Sequence, residues 1–344
     1  MKSHIDSRYI DASRYGRQNG QNDIAKEAQR RMDNLKMRKA KKRRRRHLIK
    51  LFFKSAIMLT LLLFAGVFLC KIVYKISLDI DRNKIDNIQY ENGKSQEQDS
   101  NEVMQLEVGK PLVREGNELI NRLKSLSNEY PDFMKIYNNR DAYPEELIAS
   151  LCNNPEMIDF VKGYLTSDGT VTGDINENEV SKDYPLFLQW DKRWGYAPYG
   201  DNNIALSGCA PTCLSMVITE LTKNAEASPD VVADYAMTNG YYISGTGTKW
   251  SLMTEGSEHY GIQGRELNLS KNSIFSELEE GNPIICSLRP GDFTTAGHFI
   301  VLVGVRNGKI RVNDPNCKER SSKLWDYDTL EYQIKNLWVF TKPS

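Results

Sequence analysis

Four residues of this chain carry the groups from which thiol chemistry can be assembled. They are Cys209 and Cys213 in "SGCAPTCLSMV", His298 in "AGHFIVLVGV" and Asp314 in "VNDPN". A cysteine nucleophile needs a thiolate, a nearby imidazole and a group to orient that imidazole. Cys209 follows a glycine, precedes Pro211 and opens an apolar run. A helix starting there offers its thiol free N–H groups and the positive end of the helix dipole, which favour the thiolate. Cys213 lies one turn further in on the same face and reads as a packing residue. A Cys209–Cys213 disulfide is the competing reading, and it would silence the nucleophile. His298 taken alone fits a structural role as well as a catalytic one. The chain holds four histidines, His4, His47, His259 and His298, and lacks HExxH, CxxC, a phosphate-binding loop and a dinucleotide fingerprint. That argues against a zinc enzyme or a nucleotide enzyme, so no cofactor and no metal are expected.

The elements that must position these residues are legible by pattern. "GCAPTCLSMVITELT" and "SPDVVADYAMTNG" read as helices, the second with Ser228 at its cap, Pro229 in its first turn and Gly240 at its end. "NPIICSLR", "HFIVLVGV" and "KIRVNDP" read as strands, the last two flanking an "RNGK" hairpin turn. Helices first and strands later is an α+β order. A regular two-residue turn pairs Val305 with Ile310 and therefore Val301 with Asp314. That puts His298 and Asp314 on opposite faces. A one-residue bulge or a three-residue loop brings them to the same face.

Ahead of this region the chain changes character several times. Residues 36–46 carry nine Lys/Arg and no acid. Residues 48–76 follow, with no charge between Lys54 and Lys71; snorkelling lysines extend that span to about 51–73, enough for a membrane helix. Residues 36–54 hold eleven Lys/Arg against four in residues 71–90, which places the N-terminus in the cytosol and the C-terminal part outside. The basic tail, 1–47, then faces anionic lipid, and nucleic acid is not an expected partner. Residues 77–111 read as a stalk. Residues 112–165, with Leu112, Leu119, Ile120, Leu123 and Leu126 near helical spacing and proline at three helix starts, read as a small helical subdomain that packs Cys152. Residues 166–183 read as a linker, with no calcium loop because Glu179 stands where glycine is required. Residues 184–344 form the catalytic candidate. Of six cysteines, Cys70 falls in the membrane span, and the five beyond it are too sparse for a disulfide scaffold in an outer region of about 270 residues.

The ordered set "YPLFLQWDKRWGYAPYG…SGCAPTCLSMV…AGHFIVLVGV…VNDPN" resembles the papain-like cysteine peptidases related to the bacteriocin leader-processing peptidases, in their stand-alone, secreted or membrane-anchored branch. The resemblance spans about residues 184–342. It implies a papain-like fold with Cys209 as nucleophile, His298 as general base and acid, Asp314 orienting the imidazole, and Gln189 of "LQWD" joining the Cys209 N–H on the oxyanion. Ala210 replaces the glycine usual in the family's GCGPT. The leader-processing relatives are fused to a transporter and act on the cytosolic side, which argues against a double-glycine leader as substrate here.

The expectation is a membrane-anchored extracellular thiol hydrolase acting on peptides or proteins at the cell surface. The same residues also suit a cell-wall peptide amidase or an acyl transferase, and an idle peptide- or wall-binding domain would keep the same fold. Protease added to intact cells is expected to release the C-terminal domain and leave the first 40 or so residues intact; cleavage confined to the N-terminal tail would invert the topology.

Overall fold

The computed structural model describes residues 107–342, with isolated positions 37, 41 and 58. Apart from those positions, the expected basic tail, the membrane helix at 48–76 and the stalk up to residue 106 lie outside the described residues. Among the described residues no helix is long and apolar enough to cross a membrane. Residues 107–342 lie within one compact unit.

Within residues 107–342 four helices come first: α1 Gly116–Glu129, α2 Pro131–Asn138, α3 Glu145–Asn153 and α4 Ile158–Tyr164. Pro131 occupies the first position of α2, Pro144 caps α3, and Pro155 opens a 3-10 turn, Pro155–Met157, before α4. Proline fits there because the first N–H groups of a helix have no acceptor inside it. Leu119, Leu123 and Leu126 bury one stripe of α1 against Phe133, Ile136 and Leu147. Leu112, expected on that stripe, precedes the helix and is exposed. The last residues of the expected stalk are engaged: Val108 is buried and its N–H donates to Glu319 Oε2 at 2.7 Å.

The stretch read as a linker contains a short helix, α5 Glu177–Ser181, closed by a reciprocal capping box between Asn176 and Glu179. Glu179, the residue that rules out a calcium loop, also takes a two-pronged ion pair from Arg193. Five residues are too short for a hydrophobic period, so only the Asn-x-x-Glu spacing announces this helix.

A two-residue pair, β1 Pro198–Tyr199 with β2 Asn202–Asn203, leads into α6 Ile204–Ser207 and α7 Cys209–Thr222. α7 is buried from Ala210 to Thr219, as its apolar composition on all sides requires. α8 Pro229–Thr238 follows and packs on it. Ser228 stands at the cap of α8, but its hydroxyl donates to Asp230 Oδ1 at 2.7 Å in place of accepting a helix N–H. Gly240, just past the end, has the expected positive φ of 73°.

After a small hairpin, β3 Tyr242–Ile243 with β4 Gly247–Thr248, and the one-turn α9 Glu255–Glu258, come β5 Gln263–Glu266, α10 Lys271–Glu279, β6 Ile284–Leu288, β7 His298–Arg306, β8 Lys309–Asn313, α11 Lys318–Ser322, β9 Leu324–Trp325, α12 Tyr327–Glu331 and β10 Ile334–Thr341. The strands make one six-stranded sheet in the order β5-β10-β6-β7-β8-β9, antiparallel throughout. Phe299, Val301 and Val303 pack in the cluster with Cys213, Leu214 and Val217 of α7, while Ile300 and Leu302 pack in a second cluster with Ile274 of α10 and Leu330 of α12. This is an α+β fold with one buried helix against the sheet.

The β7–β8 hairpin settles the register. Its turn is the regular two-residue kind, with Asn307 at φ 53° and Gly308 at φ 72°, both left-handed as a type I′ turn demands. Arg306 pairs with Lys309 and Val305 with Ile310, but Val301 pairs with Asn313. One extra residue, Val303, therefore bulges in β7. Continuing that register sets Ile300 opposite Asp314, so His298 and Asp314 share a face.

Candidate active site

Cys209 is the first residue of α7. Gly208 before it joins α6 to α7 so closely that a Cβ there would lie 2.6 Å from both Ile204 Cγ2 and the Ile204 carbonyl oxygen. Only glycine fits. Ala210 is fully buried in the core. All five described cysteines are free, so no Cys209–Cys213 disulfide forms. Cys209 is half-buried, whereas Cys152, Cys213, Cys286 and Cys317 are buried. Burial raises the Cys213 thiol well above its ordinary value, pushes Cys152 up to about 11 and pushes Cys317 up to about 12. Those thiols are inert packing groups.

His298 opens β7 and is 7% exposed. Its Nε2 lies 2.7 Å from Asp314 Oδ1, and its ring also interacts with Cys209. With Nε2 engaged by the carboxylate, Nδ1 is the nitrogen available to the thiol. The bulge in β7 makes this possible. Burial alone would depress the imidazolium, but the charge and hydrogen bond of Asp314, aided by Cys209, outweigh it and raise His298 from 6.5 to about 9. His259 is elsewhere, exposed and stacked on Tyr235 with ring centroids 4.3 Å apart.

Asp314 is fully buried. Its Oδ1 also accepts the Asn316 N–H at 2.8 Å, and its Oδ2 accepts Arg320 Nε at 2.7 Å. Burial would raise this carboxyl; His298 and Arg320 outweigh that and hold it below the usual carboxylate range. Arg320, on α11, is 3% exposed. Sequence reading missed it, because it sits in the polar run "NCKERSSK" with no period to mark it as buried. Its spacing of six from Asp314 is the only signal, and such a spacing is common.

Each residue of "QWD" has a task. The Gln189 N–H donates to the Pro315 carbonyl at 2.8 Å, and its Nε2 donates to the Ala205 carbonyl at 2.6 Å. Gln189 thus ties the Asp314 loop to the turn four residues before Cys209. The amide orientation is fixed, since a flip would set Oε1 against the Ala205 oxygen. Trp190 Nε1 donates to the Asn316 carbonyl at 2.8 Å. Asp191 pairs with Arg193 at 2.8 Å. Asn313 of "NDP" donates to the carbonyls of Tyr184 and Pro185 at 3.0 and 3.2 Å, which anchors the start of the domain on β8.

Two stability effects follow. His298 binds its proton more tightly folded than unfolded, so its contribution is complete below pH 6.5 and is lost as pH rises through about 9. The Asp314 contribution runs the other way and is lost as pH falls below the ordinary carboxylate range. Thermal melts of the wild type should therefore fall between pH 6.5 and about 9 by more than those of His298→Ala. Asp314→Asn should cost about 3–5 kcal/mol in chemical denaturation, because it leaves Arg320 charged and buried; a loss below about 1 kcal/mol would show that the pair is not a buried ion pair.

Comparison with known proteins finds one matching family model and similar solved structures. Residues 181–343 match the family described as "Peptidase_C39 like family". Two solved structures are similar. One is the peptidase domain of Streptococcus ComA, a bi-functional ABC transporter involved in a quorum sensing pathway, at 18% identity, covering 46% of this chain and 99% of that one, with a TM-score of 0.33. The other is a putative C39-like peptidase from Bacillus anthracis, at 14% identity, covering 50% of this chain and 99% of that one, with a TM-score of 0.32. No curated protein matches the chain. Residues 181–343 are thus similar to the C39-like peptidase family, a likeness consistent with a papain-like cysteine peptidase.

Proposed function

We propose that this chain is a membrane-anchored cysteine peptidase that hydrolyses peptide bonds at the outer face of the membrane, through Cys209, His298, Asp314 and Gln189. The observation that carries the reading is a single imidazole held between a buried carboxylate and a half-buried thiol at a helix start. A bland structural histidine does not account for that arrangement. It buries one carboxylate, one guanidinium and one imidazole around a thiol that is left accessible.

In this scheme the Cys209 sulfur attacks the scissile carbonyl carbon, and the π electron pair moves to oxygen. The N–H of Cys209 and the remaining Nε2 hydrogen of Gln189 receive that oxyanion. As the C–N bond breaks, the proton on His298 Nδ1 passes to the leaving amine, and a thioester remains on Cys209. Water then attacks the thioester and gives its proton to His298. The C–S bond breaks, and the sulfur leaves as thiolate beside the imidazolium. Asp314 stays ionised throughout, holds the ring, and stabilises its charge. The substrate is a peptide or protein at the cell surface. The apolar stretch 48–76 is the anchor, and the basic run 36–46 lies against anionic lipid on the cytosolic side.

A peptide-derived, thiol-directed electrophile tests the reading. Labelling should map to Cys209 and vanish in Cys209→Ser. His298→Ala should slow labelling at neutral pH. Gln189→Ala should change alkylation by iodoacetamide far less than acyl transfer, which should fall by about 10²–10³. If His298→Ala labels like the wild type at every pH, His298 is not the partner of Cys209.

A further inference from the structure

The turn between α3 and α4 lies outside the family match at 181–343, yet it holds the loop that carries Asp314. Asn154 is fully buried, and its Nδ2 donates to the Asn316 carbonyl, which Trp190 also holds. Glu156 accepts the N–H groups of Lys318 at 2.7 Å and Glu319 at 3.0 Å. These are the first two N–H groups of α11, and the third, from Arg320, goes to Cys317 Sγ at 3.3 Å. An isolated five-residue helix has no stability of its own, so its first turn depends on such caps. One carboxylate from a different part of the chain supplies two of them. Arg320, the next residue, sets its Nε 2.7 Å from Asp314 Oδ2, and the Glu156 charge also favours the Arg320 guanidinium.

Resting on the proposed Cys209–His298 chemistry, we infer that Glu156 is a positioning residue for the active site and that the helices of residues 116–164 are a working part of it, not a spacer. Glu156 fixes α11, α11 fixes Arg320, Arg320 fixes the Asp314 carboxylate, and Asp314 fixes the His298 ring. The charged and titratable groups around Asp314 are His298 from β7, Arg320 and Cys317 at α11, and Cys213 from α7, with Cys209 beyond the imidazole. Glu156 is the member of this network that the family-matched segment does not supply.

The test is the rate of Cys209 alkylation by iodoacetamide as a function of pH, on the full-length chain, located by peptide mapping. Glu156→Ala, Glu156→Gln, Asn153→Ala and His298→Ala are compared with wild type, each checked by circular dichroism to be folded. Asn153 is the control: it ties Leu112 and Arg114 to α3, at 3.0 and 2.8 Å, within the same segment. Glu156→Ala should lower the neutral-pH rate at least about threefold. Glu156→Gln, which keeps one acceptor oxygen, should lower it less, and decides the matter if the alanine variant does not fold. Asn153→Ala should follow the wild-type profile. If His298→Ala alters the profile and both Glu156 variants match wild type, the inference is wrong and the catalytic reading stands. Equal slowing by Asn153→Ala and the Glu156 variants would mean general loosening and would also overturn the inference. A wild-type profile for His298→Ala would remove the catalytic reading itself.

Discussion

A carboxylate with no exposure to solvent governs the site. An isolated buried carboxylate costs several kcal/mol and gives up its charge unless it is paired and hydrogen-bonded. Asp314 meets that requirement with an imidazole, a guanidinium and a backbone N–H within 2.8 Å. The N–H comes from the same loop, at Asn316, but the imidazole and the guanidinium come from other elements, so the surrounding topology must bring those elements together. β7 delivers His298, α11 delivers Arg320, and the bulge at Val303 turns His298 and Asp314 to one side. The same pairing that stabilises Asp314 raises the imidazole to about 9, so the ring carries its charge at neutral pH. In the proposed chemistry, fold stability and nucleophile activation share one interaction.

The remaining contacts keep that interaction in register. Gln189 links the Asp314 loop to the turn before Cys209 through one backbone and one side-chain bond. Asn313 fastens the start of the domain to β8. From the other side, Asn154 and Glu156 grip residues 316–319. Catalytic geometry tolerates little error, since a displacement of about 1 Å can cost about 10²-fold in rate. A loop braced from two directions is the physical answer to that demand.

Much of this was legible in the sequence, and the failures have causes. α7 and β7 announced themselves because a buried helix and a buried strand need long apolar runs. The turn at Asn307-Gly308 was legible because left-handed backbone selects those residues. The alternation rule even exposed the conflict between His298 and Asp314, but it left open whether a bulge or a longer loop resolved it. Nothing at Val303 distinguishes a bulged valine from a paired one. Helix α5 escaped because five residues show no period. Arg320 and Glu156 escaped for a deeper reason: in the sequence, a charged residue held by specific partners looks like any solvated one. Asn154 and Glu156 act across about 160 residues of chain, a distance at which one sequence carries no pairing signal.

The most direct test of the account is the titration of the His298 ring, followed by NMR of the labelled imidazole across pH. The account predicts a midpoint near 9 in the wild type, falling in Asp314→Asn as the carboxylate charge is removed. A midpoint at or below 6.5, the ordinary histidine value, would show that burial wins over the Asp314 and Cys209 interactions. His298 would then be neutral at physiological pH, and the imidazolium beside Cys209 would not exist.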